Sequence, residues 1–70
     1  MSQLWMIKAV GYDVWVSEIV QDPSEMFPIP KLTLIRDKAY YFKRRTEAEY
    51  ILSILKEKAN HFDYVIKEVF

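Results

Sequence analysis

Thr46-Glu47-Ala48-Glu49-Tyr50-Ile51-Leu52-Ser53-Ile54-Leu55-Lys56-Glu57-Lys58-Ala59-Asn60 is the stretch that decides the fold. Ala48, Ile51, Leu52, Leu55 and Ala59 recur at the spacing of one helix face, with Glu49, Ser53, Lys56 and Glu57 opposite. Thr46 followed three residues on by Glu49 has the form of a capping box. In that motif the threonine oxygen accepts a first-turn amide proton, a cap worth on the order of 1 kcal/mol. A helix is therefore expected over 46–60, with Asn60 as a left-handed stop. Tyr50 and Ile54 lie four residues apart, outside the apolar stripe. They touch each other and call for a cover, which is either a sheet edge or loop of the same chain or a second protein.

Upstream of the helix the period changes from 3.6 to 2. Leu4 to Val10 and Val14 to Val20 are short runs rich in β-branched and aromatic residues, and Gly11, the single glycine, lies between them. A glycine there supplies the positive φ of a tight turn, so the two runs are expected to pair as an antiparallel hairpin. In the second run Val14, Val16 and Val20 are expected on one face and Trp15, Ser17 and Ile19 on the other. With a helix against one face only, Trp15 would lie near solvent or in an interface.

Gln21 to Pro30 contains Pro23, Pro28 and Pro30, which remove backbone donors and disfavour helix before them. It reads as a connector, unusually apolar at Met26-Phe27-Pro28-Ile29. Lys31 to Ile35 reads as a third strand and Ala39 to Phe42 as a short fourth paired with it, with a turn at Arg36-Asp37-Lys38. Phe62 to Phe70 reads as a closing strand. The order β-β-β-β-α-β describes one α+β domain over residues 1–70, a mostly antiparallel sheet with one helix on one face.

Composition narrows the class. Among 70 residues 51 % are hydrophobic and 16 % aromatic, and the formal net charge is zero, which is the opposite of a disordered chain. A domain of this size buries only about 60 % of the surface its unfolded chain exposes, so its core must be dense or a partner must help cover it. No apolar run reaches the roughly 18 residues of a membrane span, and Met1-Ser2-Gln3-Leu4 lacks the basic start of a signal peptide. The absence of cysteine fits a reducing compartment, so a cytoplasmic location is expected, with no membrane contact.

Catalytic chemistry finds few footholds. His61 is the only histidine, no cysteine exists, and the carboxylates show no ligand spacing, so neither metal nor cofactor is expected. Ser2, Ser17, Ser24 and Ser53 lie in no elbow-like turn, and Glu47 and Glu49 face different sides of the helix. One glycine cannot build a phosphate-cradling loop. A non-enzymatic protein is expected.

The zero net charge is a sum of unequal blocks. Residues 1–30 set Lys8 against Asp13, Glu18, Asp22 and Glu25, while residues 31–45 set Lys31, Arg36, Lys38, Lys43, Arg44 and Arg45 against Asp37 alone. Residues 46–70 are again acidic on balance. Within the basic block, Arg36, Lys38, Lys43, Arg44 and Arg45 have Tyr40, Tyr41 and Phe42 between them, the pairing of cations and stacking rings that binders of single-stranded nucleic acid use. Overall neutrality weighs against that use, and a solvated loop accounts for the same residues.

Lys38-Ala39-Tyr40-Tyr41-Phe42-Lys43 followed by Thr46-Glu47-Ala48-Glu49 and the closing strand resembles the A-x-x-F, then T/S-x-E-A helix pattern of short uncharacterised proteins encoded by phages and prophages of Gram-positive bacteria. The opening strand Trp5-Met6-Ile7-Lys8 is similar as well. The resemblance implies a sheet with one helix and an accessory role in the host cytoplasm, often the binding and inhibition of a host or defence protein, as anti-CRISPR proteins do. It carries no catalytic residue. Together with the surplus apolar residues Trp15, Met26, Phe27, Tyr50 and Ile54, the expectation is a protein-binding accessory protein and a homodimer. The alternatives are nucleic-acid contact through residues 36–45 and a structural role in a larger phage assembly.

Overall fold

The computed structural model describes residues 3–69. Four strands, β1 (Trp5–Ala9), β2 (Trp15–Val20), β3 (Ile29–Thr33) and β4 (Tyr64–Glu68), form one antiparallel sheet in the order β3-β2-β1-β4. The helix α1 (Arg45–Lys58) packs on one face and carries the chain from the β3 side of the sheet to β4 beside β1. The small α+β architecture expected from the hydrophobic periods is the one observed.

Gly11 adopts φ +79°, and the Ala9 N–H donates to the Val14 carbonyl at 2.8 Å, closing the β1–β2 hairpin around Val10–Asp13. Only Lys8 and Trp15 then pair across the two strands, which diverge beyond that point. The chain around Tyr40–Phe42 fills the gap. Trp5 and Phe42 exchange both backbone hydrogen bonds, at 3.0 and 2.7 Å, and the Tyr40 N–H donates to the Val16 carbonyl at 2.7 Å. The expected fourth strand over Ala39–Phe42 is therefore corrected to a single bridge, and its partners are the first two strands rather than the third. The cause is backbone satisfaction: without this segment the polar groups of Trp5 and Val16 facing the gap would be orphaned.

Two further shifts follow from local chemistry. The third strand is Ile29–Thr33 rather than Lys31–Ile35, and Pro30 is accommodated because β3 lies at the sheet edge. It ends where the Thr33 hydroxyl oxygen accepts the Ile35 N–H at 3.1 Å and a 3₁₀ turn, Arg36–Lys38, begins. In β2 a bulge between Val16 and Glu18 breaks the alternation. Ile19 consequently joins Val16 against the helix instead of sharing a face with Trp15.

The helix starts at Arg45, not Thr46, and no side chain caps it: Arg44 occupies the cap position in an extended conformation. Lys43 and Arg44 alone separate the Phe42 bridge from the helix, so the turn into α1 comes before Thr46. The capping box does not form, and the Glu49 carboxylate pairs with Arg45 Nε at 3.4 Å. At the other end Ala59, at φ −137°, terminates the helix, and Asn60 is not left-handed.

The main core lies between α1 and the sheet, around Ile7, Val16, Phe42, Ala48, Ile51 and Leu55, with Ile7 and Val16 fully buried. Ile54, expected outside the stripe, belongs to this core. A second, smaller cluster of Met6, Trp15 and Ala39 lies on the far face, with Val69 against it. Trp15 is thus buried at 6 % exposure rather than presented to solvent, because the segment after β3 folds back and seats Ala39 against it.

Leu55, 1 % exposed, is expected to cost about 2–5 kcal/mol as Leu55→Ala in equilibrium denaturation. Thr46→Ala should stay within about 0.5 kcal/mol of the parent, since Thr46 makes no cap. Tyr64 is buried with its hydroxyl unpartnered among the described residues, and burial pushes its phenol above the ordinary value of 10.0. Its contribution is complete below about pH 10 and is lost as pH rises through the higher folded value. Tyr64→Phe should match or exceed the parent's stability at neutral pH and lose less of it under alkali, as read by denaturant midpoints across that range.

Candidate functional site

Helix α1 rests on β1 and β4 and leaves the β2–β3 half of the same face to the loop at 21–28. That loop is built by its own polar groups. Asp22 accepts the Ser24 N–H at 3.0 Å and the Ser24 hydroxyl at 2.9 Å on one carboxylate oxygen, while its carbonyl accepts the Glu25 N–H at 2.9 Å. Pro23 at the second position presets the φ of this turn. The Ser24 N–H and hydroxyl bonds lower the Asp22 carboxyl below its usual range. Beyond the turn, Phe27 comes under the Lys58 ammonium, 5.9 Å from the ring centroid, which ties the loop to the end of the helix.

The result is a groove with two recesses that share Pro28. One, about 360 Å³, is lined by Met26, Phe27, Pro28 and Pro30 from the loop and β3 and by Ile54 and Lys58 from α1. The other, about 340 Å³, is lined by Ile19, Pro28, Tyr40, Phe42, Tyr50 and Ile51, with Gln21 and Glu47 beside them. Tyr40 packs edge-on against Phe42 at 4.8 Å between ring centroids. The walls are exposed, with Met26 at 88 %, Phe27 at 43 % and Tyr50 at 49 %, whereas Phe42, Ile51 and Ile54 below them belong to the core.

Of the residues singled out as a protein interface, Met26, Phe27, Tyr50 and Ile54 converge on this groove. Trp15 does not, since it lies on the far face of the sheet. Pro28, Ile19 and Tyr40 complete the groove and were not singled out for it. The bulge that turns Ile19 toward the helix has no sequence signature, whereas the aromatic pair Tyr40 and Phe42, two residues apart, was a readable sign of a shared face.

The basic and aromatic segment is dispersed by the fold. Arg36, Lys38, Lys43, Arg44 and Arg45 are all exposed, as are Tyr40 and Tyr41. Tyr40 lines the groove on the helix face, and Arg45 pairs with Glu49. Arg36 lines a recess on the other face of the sheet, with Lys8, Lys67, Asp13, Trp15 and Met6. Arg36 and Tyr40 therefore lie on opposite faces of the sheet. His61 is exposed between α1 and β4, and among the described residues no three His, Cys, Asp or Glu side chains gather as metal ligands would. Among the described residues no helix is long and apolar enough to cross a membrane.

Comparison of the chain with protein-family models, with curated proteins and with solved structures returns no match, so the geometry of these two faces carries the functional reading.

Proposed function

We propose that the chain is a non-enzymatic accessory protein that acts by binding another protein in the groove between α1 and the 21–28 loop. The observation that carries this is the groove itself: exposed Met26, Phe27 and Tyr50 stand around recesses whose floor is the apolar core. Such side chains gain most by leaving water together, and a rigid aromatic wall around an apolar pocket is the usual form of an interface hot spot. Pro28, with its fixed φ, divides the groove into two seats for two side chains of a partner. Glu25 and Glu47 on the rim, with Lys58, supply charges of both signs for orientation.

The setting we propose is a phage-encoded protein that occludes a surface of a host or defence protein in the cytoplasm, and it rests on the resemblance of residues 38–49. A second copy of the chain is the first partner to test, because a patch of this kind on both copies permits a two-fold pair. Nucleic-acid contact through residues 36–45 is the weaker reading, because Tyr40 and Arg36 go to opposite faces.

A photo-crosslinking side chain at Tyr50 should give one dominant protein adduct in producing cells, diminished by Phe27→Asp, while the same group at Lys67 should not. Adducts of equal yield from both positions would overturn the groove as the binding surface. Light scattering at micromolar concentration reads self-association separately: a dimer in the parent that becomes a monomer in Phe27→Asp is expected, and a monomer in both refutes the homodimer.

A further inference from the structure

We propose that the recess on the sheet face opposite α1 is a binding site for a small phosphomonoester. It is independent of the groove and lies on the other side of the molecule. Antiparallel pairing places Lys67 directly across from Met6, and Lys8 across from both Val65 and Trp15, so two ammonium groups share one face. Arg36 arrives from the 3₁₀ turn that folds over this face, and Asp13 completes the charged lining. Three cations and one carboxylate thus line a recess of about 430 Å³, the size of a small-molecule pocket.

Ion pairing among the described residues does not account for these charges. The one ion pair among the described residues is Arg45 with Glu49, on the helix, and Asp13 forms none with Lys8, Arg36 or Lys67. Lys8 is already positioned: its ammonium donates to the Tyr12 carbonyl at 2.7 Å and to the Ala9 carbonyl at 3.2 Å. It lies 5.6 Å from the centre of the Trp15 ring. An ammonium has three protons, so one remains for a ligand.

Trp15 supplies the second observation. Its side chain walls the recess at 6 % exposure, and its indole Nε1–H is buried with no hydrogen-bond partner among the described residues. Buried donors are almost always satisfied, and an indole N–H can only donate, so the group that satisfies it is an acceptor. Beside three cations, an acceptor that carries negative charge is favoured over a neutral one. The net charge of plus two left by Lys8, Arg36 and Lys67 against Asp13 matches a phosphomonoester, which carries about −1.5 to −2 at neutral pH, better than a carboxylate. The same group is available on a free metabolite or on a phosphorylated side chain of a partner.

The test is a titration of the intact ¹⁵N-labelled chain, read on the indole N–H signals of its two tryptophans. Phenyl phosphate should move the Trp15 signal to saturation while Trp5, which packs on the helix side of the sheet, stays as an internal reference. Arg36→Gln and Lys67→Gln, both at exposed positions, should each weaken binding about fivefold, the scale of one exposed charge pair, and Asp13→Asn should tighten it. A phosphoserine peptide that binds more tightly than phenyl phosphate identifies a partner's side chain as the source, and weaker binding identifies a metabolite. An unmoved Trp15 signal at about 10 mM phenyl phosphate overturns the proposal. An equal response to acetate, or tighter binding of oligothymidylate than of phenyl phosphate, overturns it as well.

Discussion

The pair of backbone hydrogen bonds between Trp5 and Phe42 is the constraint on which the remaining architecture depends. β1 and β2 meet only near their hairpin, and the opening between them would expose polar backbone in the middle of a sheet. The segment ending at Phe42 closes it, and three consequences follow. Phe42 becomes part of the core under α1, Ala39 is laid on Trp15 across the opposite face, and the helix must begin with only two residues between it and the bridge. One short stretch of chain thereby sets the depth of the groove on one side of the sheet and the roof over Trp15 on the other.

The two faces use different physics. On the helix face, α1 spans half of the sheet, and the loop between Asp22 and Pro28 covers the rest incompletely, leaving aromatic and proline surface over an apolar floor. On the far face the apolar cluster is small, three buried residues, and the space around it is polar and positive. Recognition on the first face depends on shape and apolar area, and on the second on charge and directed donors. A chain of zero net charge achieves this by segregation, since Lys8, Lys67 and Arg36 come from three distant parts of the sequence.

What was legible in the sequence was what depends on near neighbours. The spacing of Ala48, Ile51 and Leu55 showed the helix and its buried face, and Gly11 between two β-branched runs showed the hairpin. Features set by distant partners were not legible. The bridge from Phe42 joins residues 37 positions apart, and no local pattern announces it. The bulge after Val16 adds one residue to a strand whose alternation looks regular, so Ile19 was assigned to the wrong face. The capping box at Thr46 and Glu49 was a correct local motif in a place where the chain had already turned into the helix. Met26, Phe27, Tyr50 and Ile54 could be recognised as surplus apolar residues one at a time, but their meeting across Pro28 depends on a loop and a helix that are sequentially remote.

Pro30 has a consequence for how sticky this molecule is. An extended chain laid along β3 would meet a ring nitrogen with no proton in the middle of a five-residue strand, and along β4, the other rim, it would meet Lys67 and Glu68. Both rims are therefore poor templates for further strands, and stacking into fibres is discouraged at each. A small protein with this much exposed apolar surface thus keeps its adhesion on its faces, where contour selects what can attach, and away from its rims, where any unfolded peptide would serve.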